Sequence, residues 1–259
     1  MNKKLFLEKI STNFPFSFTK EQEKIINELS DYILSTSTRN IFLLKGYAGT
    51  GKTTLISALV KSLSSVNKKP SLLAPTGRAA KVLANYAKKS ASTIHRKIYW
   101  INTNKQGNTY IKLKENTHTN TIFIVDEASM IPKSSDKGFA NRSLLDDLIE
   151  YVYDGIGCKL VLIGDTAQLP PVHLDISPAL DEALLTINYN KEIICASLVE
   201  VVRQTKSSTI LLNATRIRKQ ISNQQFHLPQ LETSEDVIRI QSGDELQDCL
   251  LYTSPSPRD

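Results

Sequence analysis

Apolar positions recur in two rhythms along this chain. After Thr19, the residues Ile25, Ile26, Leu29, Tyr32 and Ile33 fall at helical spacing, which predicts an amphipathic helix with Thr19 as its N-cap. Four short apolar runs follow: Ile41–Leu44, Ser71–Ala74, Ile122–Val125 and Leu160–Ile163. They are short and do not alternate with polar residues, so they read as strands buried on both faces of a parallel sheet. Helical spacing returns between them, as in Leu55, Ile56, Leu59, Val60 and Leu63. This order predicts an α/β fold, a parallel sheet with helices on both faces and a ligand site at the carboxyl ends of the strands.

One stretch breaks the order. Ile98-Tyr99-Trp100-Ile101 and Thr109-Tyr110-Ile111-Lys112-Leu113 are β-prone runs around the polar turn 104–108, which predicts a small inserted β-hairpin at about 97–116. A last helical pattern covers Ile210–Ile221, and Leu251–Asp259, with two Ser-Pro pairs and no periodicity, reads as a non-native tail. A first domain over 1–205 is expected, followed over 206–250 by a linker or the start of a second domain.

Composition narrows the class modestly. With 41% hydrophobic and 22% charged residues, the chain has the balance of an ordinary globular protein. The net charge of +6 suits a polyanionic partner and equally suits a mildly basic solvated surface. Cys158, Cys195 and Cys249 lie far apart, a spacing that suggests neither a zinc site nor a disulfide framework and fits a reducing cytoplasm. No apolar run approaches the ~20 residues of a membrane span. A soluble, cytoplasmic chain is expected.

The chemistry sits just after the predicted strands. Gly46-Tyr-Ala-Gly-Thr-Gly51-Lys52-Thr53 is a complete G-x-x-x-x-G-K-T between a strand and a helix, the context in which that pattern binds nucleoside triphosphates. Its backbone N–H groups, from Gly46 through Ala48, Gly49, Thr50 and Gly51 to Thr53 and Thr54, would wrap the phosphates of ATP. Lys52 would reach the β- and γ-phosphates, and the Thr53 hydroxyl would bind Mg²⁺. Asp126-Glu127 ends another strand. Adjacent carboxylates there point in different directions, so Asp126 can hold Mg²⁺ while Glu127 deprotonates the attacking water.

Further motifs carry a family resemblance. Phe18-Thr-Lys-Glu-Gln22 resembles a Q motif and Ala74-Pro-Thr-Gly-Arg-Ala-Ala-Lys81 resembles motif Ia. Ser92-Thr-Ile-His-Arg96 is similar to motif Ib, and Val125-Asp-Glu-Ala-Ser-Met130 to motif II. Leu162-Ile-Gly-Asp-Thr-Ala-Gln-Leu-Pro-Pro171 is similar to motif III, and Leu198-Val-Glu-Val-Val-Arg-Gln204 to motif IV. Their order from about residue 14 to 220 resembles the RecD/Dda-like, 5′-to-3′ superfamily 1 DNA helicases, whose first motor domain is a RecA-like P-loop NTPase fold.

The resemblance implies roles for particular residues. Gln22 would read the adenine edge, although Thr19-x-x-Gln22 is also a capping box and both readings stand. Gln168 would sense the γ-phosphate, with Asp165 either a second sensor or an ordinary cap of its loop. Arg203 would reach the γ-phosphate and neutralise transition-state charge. Thr76, Arg78, His95 and Arg96 would hold the phosphates of single-stranded DNA at a duplex junction; His95 alone would read as a core residue. In the family the hairpin carries a strand-separating pin, so Tyr99, Trp100 and Tyr110 are candidates either to stack on bases or to pack.

The family's motifs V and VI have no counterpart after Gln204. The expectation is therefore one wall of an ATP-hydrolysing, strand-separating motor that acts in DNA repair or recombination, monomeric and away from membranes. The competing readings are a P-loop NTPase that does not translocate and a nucleotide- and DNA-binding module without turnover.

Overall fold

A computed structural model describes residues 2–103, 109–132, 143–169, 171, 174, 176–202, 208–225, 227–240, 242, 243 and 246. The chain divides into two compact units, Met1–Arg203 and Gln204–Asp259.

The first unit is built on six strands: β1 (Asn40–Gly46), β2 (Lys69–Ala74), β3 (Ala91–Thr93), β6 (Thr121–Val125), β7 (Lys159–Gly164) and β8 (Glu192–Leu198). They lie in the order β3-β2-β6-β7-β1-β8, and every pairing is parallel. Two more strands, β4 (Tyr99–Thr103) and β5 (Thr109–Leu113), form the separate antiparallel hairpin. All six carboxyl ends therefore reach one edge of the main sheet, and β7 lies between β1 and β6.

Among the described residues of this unit there are seven α-helices: α1 (Lys3–Asn13), α2 (Lys20–Leu34), α3 (Lys52–Ser62), α4 (Gly77–Ala87), α5 (Ile94–Ile98), α6 (Leu144–Asp154) and α7 (Glu182–Tyr189). Successive strand residues feed opposite faces. Phe42, Leu44, Ile122, Ile124, Val161 and Ile163 enter one core with Phe6, Ile25, Leu55 and Leu83 from α1 to α4. Ile41, Leu43, Phe123, Val125, Leu160 and Leu162 enter the other with Ile94, Leu145, Leu148 and Leu185 from α5 to α7. Each fully buried large side chain contributes roughly 1.5–3 kcal/mol, which is why continuous apolar runs mark these strands.

Local chemistry fixes the helix starts. Thr19 and Gln22 form the capping box of α2, Ser143 and Asp146 form that of α6, and Thr76 caps α4. The four strands and the hairpin expected from the sequence are present; β3 and β8 join them at the two edges. Ile98 differs from expectation: it ends α5 and is fully buried, so the hairpin begins at Tyr99.

In the second unit, α8 (Thr209–Ser222) is capped by Ser208 and again by Asp236, whose carboxylate accepts from the N–H groups of Thr209 and Ile210. Asn213 pairs with the backbone of Glu232 in both directions, tying the following segment along the helix. Among the described residues, no helix is long and apolar enough to cross a membrane.

Candidate nucleotide site and nucleic-acid edge

The loop 46–51 leaves β1 and enters α3 through two left-handed glycines, Gly49 (φ 82°) and Gly51 (φ 87°). A Cβ on Gly51 would lie 2.8 Å from Gln22 Nε2 and 3.2 Å from Val202 Cγ2, so both conformation and space demand glycine. Gly51 offers no side-chain cap to α3. The first-turn N–H groups, including those of Thr53 and Thr54, therefore retain the partial positive charge that an anion requires. Lys52 Nζ donates to the carbonyls of Gly46 (2.6 Å) and Tyr47 (2.8 Å), holding the ammonium across the mouth of its own loop.

Gln22 is engaged at both ends of its amide. Oε1 accepts from Thr19 N–H at 3.1 Å, and Nε2 donates to the Thr50 carbonyl at 3.2 Å. The side chain is only 2% exposed. The capping reading is thus realised, and the same amide buttresses the loop from beneath. Glu21 beside it was not singled out from sequence. Its Oε2 accepts from Val199 and Glu200 N–H groups (2.9 and 3.0 Å), and Val202 N–H donates to the Gly49 carbonyl at 3.0 Å. These bonds bring the segment after β8 against the loop; the expected Arg203 itself lies outside the described residues.

The acidic pair stands where β6 ends. Asp126 N–H still pairs with the Leu73 carbonyl at 3.0 Å, while Glu127 turns into the left-handed region (φ 56°, ψ 37°). A non-glycine residue held there stores strain of the kind that collects at functional sites. The Asp126 carboxyl is pushed up to about 6, first by burial and then by the neighbouring Glu127 carboxylate; the Glu127 N–H and the Lys52 ammonium act in the opposite direction.

That shift sets a pH-dependent stability. The folded carboxyl binds its proton more tightly than the unfolded one, so stability is lost as pH rises from about 4 to about 6 and stays lost above. Asp126→Asn should therefore stabilise the metal-free protein by about 3 kcal/mol at pH 7 and by almost nothing at pH 4. Urea unfolding at the two pH values checks it, and an equal gain at both would show that the buried charge is not the cause.

The loop after β7 approaches the same place. Ser129 Oγ donates to Gln168 Oε1 at 3.0 Å, joining the segment after the acidic pair to the expected phosphate sensor. Asp165 is spent on its own loop: Oδ1 accepts from Ala167 N–H at 2.8 Å and its carbonyl from Gln168 N–H. It acts as the cap of that loop.

The nucleic-acid candidates follow β2 and β3 along the same sheet edge. Thr76 Oγ1 accepts from Ala79 N–H at 3.2 Å, and Arg78 is exposed in the first turn of α4. His95 is half-buried with its ring 5.8 Å from that of Tyr99, and Arg96 is exposed. The hairpin aromatics separate. Tyr99 is buried and its hydroxyl donates to Asp147 at 2.6 Å, whereas Trp100 is 59% exposed with the Lys114 ammonium 4.7 Å from its ring centroid. The Tyr110 side chain lies outside the described residues.

Comparison with known proteins finds relatives of this chain. The model of a family described as an AAA domain matches residues 17–244. The ATP-dependent RecD2 DNA helicase of Deinococcus radiodurans is 29% identical over 194 residues, covering 74% of this chain and 23% of that protein. The ATP-dependent DNA helicase dda of Enterobacteria phage T4 is 30% identical over 178 residues, covering 68% of this chain and 37% of that protein. The chain thus spans well under half the length of these relatives. Among solved structures, a Pif1 helicase from Bacteroides in complex with ADP-AlF3 and ssDNA shares the fold. It has a TM-score of 0.50 at 19% identity, with 94% of this chain and 58% of that chain covered.

Proposed function

The chain belongs to the AAA domain family, and from that premise we propose that it is the first motor domain of an ATP-driven DNA helicase resembling the RecD/Dda branch of superfamily 1. One observation carries the reading. The loop around Lys52, the Asp126-Glu127 pair and Gln168 all leave the carboxyl ends of β1, β6 and β7 at one sheet edge, and motif Ia leaves β2 beside them. The unit Met1–Arg203 is read as this motor domain, and the unit Gln204–Asp259 as a linker or the beginning of a second.

In this reading Lys52 exchanges its two loop carbonyls for the β- and γ-phosphates of ATP, while the α3 N-terminus and the loop N–H groups take the remaining charge. Thr53 and Asp126 supply hard oxygen donors. Two protein oxygens suit Mg²⁺, which takes its other ligands from phosphates and water, and a carboxyl held near 6 by burial and then by an adjacent carboxylate suits a cation beside it. When bound, Mg²⁺ neutralises charge on the phosphoryl oxygens. Glu127 orients and deprotonates the attacking water. Gln168, hydrogen-bonded to Ser129, ties the acidic segment to the γ-phosphate. Gln22 acts through the loop it braces, and contact with adenine would use the remaining N–H and lone pair of its amide. Arg203 follows a segment bonded to the loop at Gly49 and takes the transition-state charge. Thr76, Arg78, His95 and Arg96 hold single-stranded DNA by its phosphates next to a duplex junction. A monomeric role in DNA repair or recombination rests on the resemblance.

The test is phosphate release by the full-length protein with and without single-stranded DNA. Severalfold stimulation is expected, with unwinding of a tailed duplex. Hydrolysis indifferent to DNA would leave a non-translocating NTPase and overturn the motor reading.

A further inference from the structure

Beneath the hairpin lies a cavity of about 810 Å³, which the assigned roles reach only at Arg96. It runs along β2 from Lys69 to Leu73, between that strand, the start of β3 and the β4–β5 hairpin. Lys69 and Thr121 open β2 and β6 as register partners, so this end of the cavity lies at the amino ends of the strands, opposite the nucleotide edge. Arg96, where the expected nucleic-acid edge begins, also lines it.

The lining is strongly one-signed. Among the described residues that line it, Lys69, Arg96, Lys97, Lys112 and Lys114 are set against a single carboxylate, Glu115. The field is felt by the groups inside it: burial and the Lys114 charge lower the Lys97 ammonium, and burial with Lys97 and Lys69 lowers the His118 imidazole. Bringing an anion in would relieve that repulsion. Lys114 Nζ donates to the Arg96 carbonyl at 2.9 Å and lies over the Trp100 ring. Trp100, an indole left 59% exposed at the rim, offers a flat surface next to these cations. A chain of phosphates carrying aromatic bases matches both features at once; an acidic peptide matches only the charge.

We propose that the cavity between the β4–β5 hairpin and β2 binds a single-stranded nucleic-acid segment, its phosphates on Lys69, Lys97 and Lys112 and a base against Trp100. The ligand class rests on the functional reading above; the site is a separate one, extending the strand path from Arg96 beneath the hairpin toward the amino edge of the sheet.

Trp100 is the chain's one tryptophan, so its emission reports on this site alone. The experiment titrates the chain with a short fluorescein-labelled oligothymidylate, following label anisotropy for binding anywhere and tryptophan emission for binding here. Saturable quenching is expected, with log K falling by at least about 1.4 per decade of salt for two phosphates neutralised. Lys69 and Lys112 are exposed, so reversing them disturbs no core. K69E/K112E should weaken the quenching about tenfold or more, and K69Q/K112Q should weaken it less. A rise in anisotropy with unaltered tryptophan emission would overturn the site and leave the motor reading intact. Equal quenching by polyglutamate would overturn nucleic acid as the ligand. If neither signal moves, the site and the DNA half of the function fall together, and calorimetry of Mg·ATP binding judges the nucleotide half separately.

Discussion

Glu127→Gln in the full-length protein is expected to slow ATP hydrolysis by about 10²–10⁴-fold while leaving Mg·ATP binding nearly unchanged. Glutamine preserves the shape and hydrogen-bonding reach of the side chain and removes only its capacity to take a proton. The backbone conformation at this position is held from outside the side chain: the Glu127 carbonyl accepts from Met130 N–H at 3.0 Å, and its N–H donates to Asp126 Oδ1 at 3.0 Å. The left-handed turn should therefore survive the change, and with it the alignment of position 127. Asp126 supplies an internal control. The Glu127 charge helps to raise its carboxyl, so the variant should bring that carboxyl down from about 6 toward its ordinary range. Single-turnover hydrolysis, measured beside nucleotide binding, decides the matter. A rate within tenfold of the unaltered protein would mean that another group activates the water.

Parts of this arrangement were legible before any coordinates because their causes are local. The turn around Lys52 requires glycines at fixed offsets between a strand and a helix, and the capping box of α2 is written in Thr19 and Gln22. β8 was not legible. It borders only β1, and its mixed residues, among them Glu192 and Ser197, lack the continuous apolar run of a central strand. β3, three residues long, is too short to show a period. Tyr99 and Trp100 were equally aromatic on paper. Adjacent strand residues point to opposite faces, but which face is covered depends on α6, whose Asp147 receives the Tyr99 hydroxyl. The bonds from Gln22 to Thr50, from Ser129 to Gln168, and from Val199 and Glu200 to Glu21 join segments 28 to 179 residues apart. No local pattern encodes such contacts. The basic cavity was hidden for the same reason, since Lys69 and Lys112 are ordinary surface lysines until the hairpin folds over β2.

Lys52→Ala is expected to lower Mg·ATP affinity by about 10²–10⁴-fold in a protein that remains folded. The ammonium now spans 2.6 and 2.8 Å to the carbonyls of Gly46 and Tyr47, and its stem lies over the loop, 3.2 Å from where a Gly46 Cβ would stand. On nucleotide binding, these neutral acceptors give way to phosphate oxygens carrying formal charge, and hydrogen bonds to charged groups contribute roughly 1.5–3 kcal/mol each. Two such bonds amount to about 3–6 kcal/mol, which sets the expected range. The loop should keep its form without the lysine, because Gln22 Nε2 still holds the Thr50 carbonyl and Val202 N–H the Gly49 carbonyl. Arginine should not rescue binding, since its planar fork cannot stand in for a compact ammonium in so tight a turn. A second readout separates lost charge from lost structure. Lys52 draws the Asp126 carboxyl downward, so the alanine variant should titrate Asp126 above about 6, a change visible in its carboxyl carbon resonance. Unaltered Mg·ATP affinity by calorimetry, in a variant shown by circular dichroism to be folded, would end the assignment of this loop to nucleotide. An Asp126 carboxyl that does not move would show that the two side chains do not share the site.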